Sequence, residues 1–184
     1  MPTKNTILLQ LTFVILAFTA LNGCDDQSSR PATAQRQSFD TQPVTATPGI
    51  EDLKAVLAMN PNDFATLSTL ADMYFEAGRY LEAINTYDKA IGVNAMCADC
   101  YNDKGLALHY LGESDAAVAA FDKAVTIDPT FVHAWLSKGF VLVSSGRFQE
   151  AIEPLNKVKE LDTEGGLAAE ADKFLVLIAE RSTQ

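Results

Sequence analysis

From about residue 50 onward, apolar and small residues recur at spacings of three and four. Leu67, Leu70, Ala71 and Tyr74 form one stripe, Tyr101, Gly105, Leu108 and Leu111 a second, and Trp135, Gly139 and Leu142 a third. That spacing is one face of an α-helix, so the pattern predicts a helix at each stripe. A glycine follows each one: Gly78, Gly112 and Gly146. Glycine ends helices readily because it adopts the left-handed conformation without penalty. A second apolar run follows each glycine, as in Ala117, Phe121 and Ala124.

The stripes also repeat. The three glycines are 34 residues apart, and so are Ala83, Ala117 and Ala151. Tyr87, Phe121 and Leu155 keep the same step, as do Ala90, Ala124 and Val158. A fixed period of this length marks a stack of helical units, each burying its apolar face on the next. Three blocks result: 64–97, 98–131 and 132–165. Asn60-Pro61-Asn62-Asp63 and Asp128-Pro129-Thr130 punctuate them, and Asp63 is placed to cap the following helix. Pro154 falls inside a second helical run, where it is expected to bend the helix or face outward.

The blocks resemble the tetratricopeptide repeat (TPR). Block two carries the family's Tyr101, Gly105, Ala117, Phe121, Ala124 and Pro129, and block three carries Trp135, Gly139, Ala151 and Val158. Block one carries Leu70, Ala71, Tyr74, Ala83, Tyr87 and Ala90. Lys104 and Lys138 replace the usual Leu, and block one lacks the Pro of its closing turn. The resemblance implies an all-α fold, a right-handed α-solenoid of three TPR helix pairs with flanking helices. Residues 49–63 read as a leading half-repeat helix, with Leu53, Val56 and Leu57 as its stripe. Residues 166–184 read as a C-terminal capping helix, with Leu167, Ala171, Phe174, Leu175 and Ile178 on one face. Val176 and Leu177 widen that face, through deeper packing on block three or through a self-association surface.

The resemblance also implies a concave groove lined by the first helices, where a peptide or protein partner is bound. Its implied lining is Ala65, Ser68, Asp72, Phe75 and Glu76 in block one, then Asp99, Asn102, Leu106, His109 and Tyr110. Block three adds His133, Leu136, Phe140, Val143 and Ser144. The lining is acidic at one end and apolar or aromatic towards the other, which suits a segment with a few cations and an apolar anchor. Phe75, Leu106 and Phe140 have a plainer alternative role, packing between neighbouring helices. Ser68 and Asp72 occupy positions where the family's carboxylate clamp carries Lys and Asn, so capture of a C-terminal carboxylate is not expected.

Outside the repeats, Lys4 precedes an apolar run of about 15 residues from Ile7 to Leu21, shorter than the roughly 20 that span a bilayer. The run ends at Leu21-Asn22-Gly23-Cys24. A charged start, a short apolar core and a small residue at its end read as a secretory signal. A Cys in the next position resembles the lipobox of bacterial lipoproteins, which implies a signal peptide over 1–23 and lipidation of Cys24. An uncleaved anchor is the alternative. Asp25 and Asp26 resemble the signal that retains such lipoproteins in the inner membrane, with the outer membrane as the other destination. Residues 24–48 are rich in Ser, Thr, Gln and Pro, too polar to fold alone, and read as a disordered tether.

Composition and motifs narrow the chemistry. The formal charge of −10 gives no basic footprint for nucleic acid. Cys97-Ala98-Asp99-Cys100 opens block two. Tyr101 follows it where haem attachment would need His, and no strand precedes it as in a thioredoxin-like site. Behind a secretory signal the leading reading is a local disulfide, with free thiols or a redox or metal role as alternatives. His133 near Asp99 and Cys100 would be the start of a zinc site. The chain carries no HExxH, GxSxG, Walker loop or dinucleotide fingerprint, so neither catalysis nor a cofactor is expected. The reading is a non-catalytic, lipid-anchored adaptor facing the periplasm. Its rivals are an envelope thiol redox or metal-binding protein and a scaffold that self-assembles through the last helix.

Overall fold

The computed structural model describes residues 48–163 and 165–181. Cys24, the signal over 1–23 and all of the tether before Pro48 lie outside them. The described residues are all-helical: α1 (Pro48–Met59), α2 (Phe64–Glu76), α3 (Tyr80–Val93), α4 (Ala98–Tyr110), α5 (Ser114–Ile127), α6 (Val132–Ser144), α7 (Phe148–Leu161) and α8 (Gly166–Arg181). Helices α2–α3, α4–α5 and α6–α7 form three pairs, and consecutive helices pack on one another throughout.

The turn within each pair is built the same way. Gly78, Gly112 and Gly146 have φ of 71°, 84° and 74°. After α2, the Gly78 N–H donates to Phe75 O at 2.9 Å and the Arg79 N–H to Tyr74 O at 2.8 Å. Gly112 and Glu113 repeat the arrangement after α4, as do Gly146 and Arg147 after α6. These paired bonds satisfy carbonyls that the helix end would otherwise leave open. At the start of α2, Asp63 accepts from the Thr66 N–H at 3.2 Å.

Small residues allow the helices of a pair to cross closely. A Cβ on Gly105 would sit 2.7 Å from the Phe121 ring, and one on Gly139 would sit 2.6 Å from Leu155. Ala83, Ala117 and Ala151 are each fully buried. The N-terminal core joins Ile50 of α1 to Leu67, Leu70, Tyr74, Tyr87 and Ala107.

The two lysines at the departures from the repeat pattern have a shared job. Lys104 of α4 pairs with Asp88 of α3, and Lys138 of α6 pairs with Asp122 of α5 at 2.7 Å. Each pair bridges one repeat to the next, and both members recur after 34 residues.

Pro154 does not face outward. It is among the fully buried side chains, and α7 runs on past it to Leu161. The ring faces inward because Pro154 shares its face with Ala151, Leu155 and Val158, all buried. The amide it lacks would have bonded the carbonyl of Glu150, whose residue is exposed and can turn to water. On α8, Ala171, Phe174 and Ile178 are buried, whereas Val176 is 57% exposed.

Candidate functional site

The first helices of successive pairs approach one another, α2 to α4 and α4 to α6, and α6 also meets α8. The second helices α3, α5 and α7 contact their flanking helices but not each other. The stack therefore bends with its first helices inside, and this inner face is the candidate site.

One end of the face is acidic. Asp72 of α2 accepts a hydrogen bond from the Tyr87 hydroxyl of α3 at 2.8 Å. Burial raises the Asp72 carboxyl above its ordinary range; the Tyr87 bond opposes this, while Glu76 and Asp99 add to it. Asp103 lies on α4, next to Asn102, whose Nδ2 donates to its Oδ1 at 3.0 Å. Burial, aided by the charge of Asp72, pushes the Asp103 carboxyl up to about 7. Asn102 is 1% exposed, and its Oδ1 is buried with no hydrogen-bond partner.

The aromatic part adjoins it. Tyr80 and Tyr110 stack across the repeat boundary, with ring centroids 4.9 Å apart and planes 10° apart. Phe75 stands edge-on to both, at 5.6 and 5.8 Å. His109 meets the edge of Phe140 at 5.4 Å, and Phe140 meets Phe174 of α8 at 6.0 Å. Burial lowers the His109 pKa, which keeps the imidazole neutral near pH 7.

The groove residues inferred from the sequence divide by depth. Glu76 and Asp99 are exposed, Tyr110 is 36% exposed, and Asp72, Phe75, His109 and His133 are half-buried. Leu106, Leu136, Phe140 and Val143 are buried, as is Asn102. These four apolar side chains pack between neighbouring helices and offer a partner little surface. His133 lies against the Phe131 ring at 6.2 Å. The face also holds two residues that the sequence alone does not single out, Tyr80 and Asp103. The signal for Asp103 is its place one turn after Asp99. Tyr80 opens a second helix, where the register also gives Ser114 and Phe148.

Cys97 and Cys100 stand at the start of α4, with sulfurs 2.06 Å and Cα atoms 5.3 Å apart. The Cys100 N–H points at Cys97 Sγ at 3.1 Å, so Cys97 serves as the helix cap. Cys100 is only 3% exposed. Among the described residues, no three His, Cys, Asp or Glu side chains converge to hold a metal ion.

An array of helix pairs in a fixed 34-residue register, bent with its first helices inside, defines a helical-repeat protein. The family model described as tetratricopeptide repeat matches residues 49–92, 68–130 and 102–165, and the chain belongs to that family. No curated protein matches the chain. Among solved structures, it is similar to the MamA protein: 27% identity, covering 73% of this chain and 81% of that one, with a TM-score of 0.59. It also shares its fold with the TPR2B domain of yeast Sti1 in its pHsp70 complex, at 22% identity, 73% and 99% coverage and a TM-score of 0.58. The Yersinia enterocolitica type III secretion chaperone SycD, in complex with a peptide of the translocator YopD, has the same fold at 17% identity, 64% and 93% coverage and a TM-score of 0.61.

Proposed function

We propose that this protein is a non-catalytic adaptor that holds a peptide or protein segment against the inner face of its first helices. The observation that carries the reading is the aromatic group of Phe75, Tyr80 and Tyr110 beside the acidic group of Asp72, Glu76 and Asp99. Tyr presents a large apolar area with a polar tip at little entropic cost, which is why it recurs at binding surfaces. Tyr110 is accessible while its ring is held by two neighbours, so it is pre-organised for contact. The test is peptide binding by the full-length chain, with Tyr110→Ala and Tyr80→Ala as variants. Loss of about tenfold or more in affinity supports the reading. Unchanged binding overturns it.

The adaptor is anchored at the bacterial envelope by lipid on Cys24, with its repeats facing the periplasm and the inner membrane as its address. The support is the Leu21-Asn22-Gly23-Cys24 sequence followed by Asp25. Metabolic labelling with a palmitate analogue checks it, and label retained in Cys24→Ser would refute the anchor. In that compartment Cys97 and Cys100 form a local disulfide that stiffens the turn into α4. The redox alternative would need attack at Cys97, which is half-buried, since Cys100 is buried.

A further inference from the structure

The acidic end of the inner face gathers carboxylates from two helices. The charge of Asp99 on α4 raises the proton affinity of Asp72 on α2 and of Asp103 on α4, and Asp72 adds to that of Asp103. Among the described residues, no lysine or arginine forms an ion pair with any of the three. Lys104, the next residue along α4, reaches to Asp88 of α3 instead. Beside Asp103 lies Asn102. Its amide is fixed at Asp103 through Nδ2, and Oδ1 belongs to the same small plane. That oxygen is buried with nothing to accept from, although the residue is 1% exposed. A buried acceptor left unpaired is costly, and a fold keeps one where something else supplies the donor.

The group that these carboxylates and this amide oxygen suit is a cation that also donates hydrogen bonds. A metal ion does not fit, since no three ligating side chains converge here. The acids are spread over two helices, which suits a longer group with several N–H donors. We propose that Asp72, Asp99, Asn102 and Asp103 take the ammonium or guanidinium of a lysine or arginine side chain on the bound segment. The neighbouring ring of Tyr110 then receives an apolar residue of the same segment. This rests on the reading of the inner face as a peptide site and names what that site selects.

The experiment is selection of random short peptides on the full-length chain, followed by affinity measurement with Asp103→Asn and Asp72→Asn. Both replacements keep the side-chain shape, and the amide oxygen that Asp72→Asn leaves in place can still accept from Tyr87, so folding is preserved; circular dichroism verifies it. The expected result is a lysine or arginine common to the selected peptides. Its replacement by Gln, and the double Asn variant, should each lower affinity about tenfold or more, with no further loss when combined. Peptides selected without a basic position, or binding unchanged in the variants, would overturn the cation site and leave the peptide site standing. Failure to select any peptide would overturn both.

Discussion

Gly105 of α4 and Phe121 of α5 occupy a space with no room for one more carbon: a Cβ at 105 would come within 2.7 Å of a ring that is fully buried. The 34-residue register repeats this contact at Gly139 and Leu155. Helix propensity alone favours Ala over Gly by about 1 kcal/mol. Overpacking a rigid site costs about 1–3 kcal/mol, and the Phe121 ring, enclosed on all sides, has nowhere to move. The propensity gain offsets part of that cost, so Gly105→Ala is expected to destabilise the repeats by up to about 2 kcal/mol in denaturant unfolding. An increase in stability would show that the two helices can spread.

Gly112 and Gly92 give opposite signs for the same substitution. Nothing lies within 4 Å of a Cβ at either position, so packing is silent. Gly112 has φ of 84°, which a side chain resists, whereas Gly92 lies inside α3. Gly112→Ala should cost about 1 kcal/mol, and Gly92→Ala should add up to about 0.5 kcal/mol because it sits near the helix end. Thermal unfolding of the two variants side by side checks this.

These glycines show how much is legible in the chain. The period exposes the pairing of helices, the left-handed turns and the small residues at crossings, because each is a local demand on one residue type. Depth on the inner face is not legible in the same way. Leu106 and Tyr110 share a stripe of α4, yet Leu106 is buried and Tyr110 is accessible, a difference that spacing along the helix does not encode. At Pro154 the missing amide permits an outward ring, but the buried neighbours on its face hold the ring inside. Lys104 and Lys138 look like departures until their partners Asp88 and Asp122 are seen across the repeat boundary.

Tyr87→Phe removes a hydrogen bond that ties the core to the acidic face. Tyr87 is 1% exposed and donates to Asp72, which is half-buried. Removing the hydroxyl leaves the ring packing intact and the carboxylate short of a donor. A loss of about 1–2 kcal/mol is expected. The same change should raise the Asp72 pKa further, which carboxyl-detected NMR titration would register.

Reduction of Cys97 and Cys100 should weaken the fold modestly. The pair is separated by three residues in sequence, and constraining so short a loop restricts the unfolded chain little. About 2 kcal/mol is the expected scale, less than for a long loop. Guanidinium unfolding with and without reductant measures it. A loss large enough to unfold the chain would mean that the bond organises more than its own turn.

The pH dependence of stability follows from Asp103. Its carboxyl titrates at about 7 in the fold against an ordinary 3.8. The folded chain therefore holds a proton that the unfolded chain has already released over that interval. A state that binds more protons gains as pH falls, so this group's favourable contribution is complete at low pH and is lost as pH rises towards 7. Asp72 is shifted in the same direction. Glu82 and Glu150 are lowered by their arginine partners, so they act with the opposite sign, but only below the ordinary glutamate range. His109 opposes them below its ordinary 6.5, because burial lowers its pKa and the unfolded chain takes up that proton first; between about pH 8 and about pH 6.5 the raised aspartates dominate, and the melting temperature should climb on acidification. Asp103→Asn should flatten that climb and raise stability near neutrality, where burying the charge costs most. A melting temperature that falls on acidification between about pH 8 and about pH 6.5, or a variant that keeps the full slope, would place the titrating group elsewhere.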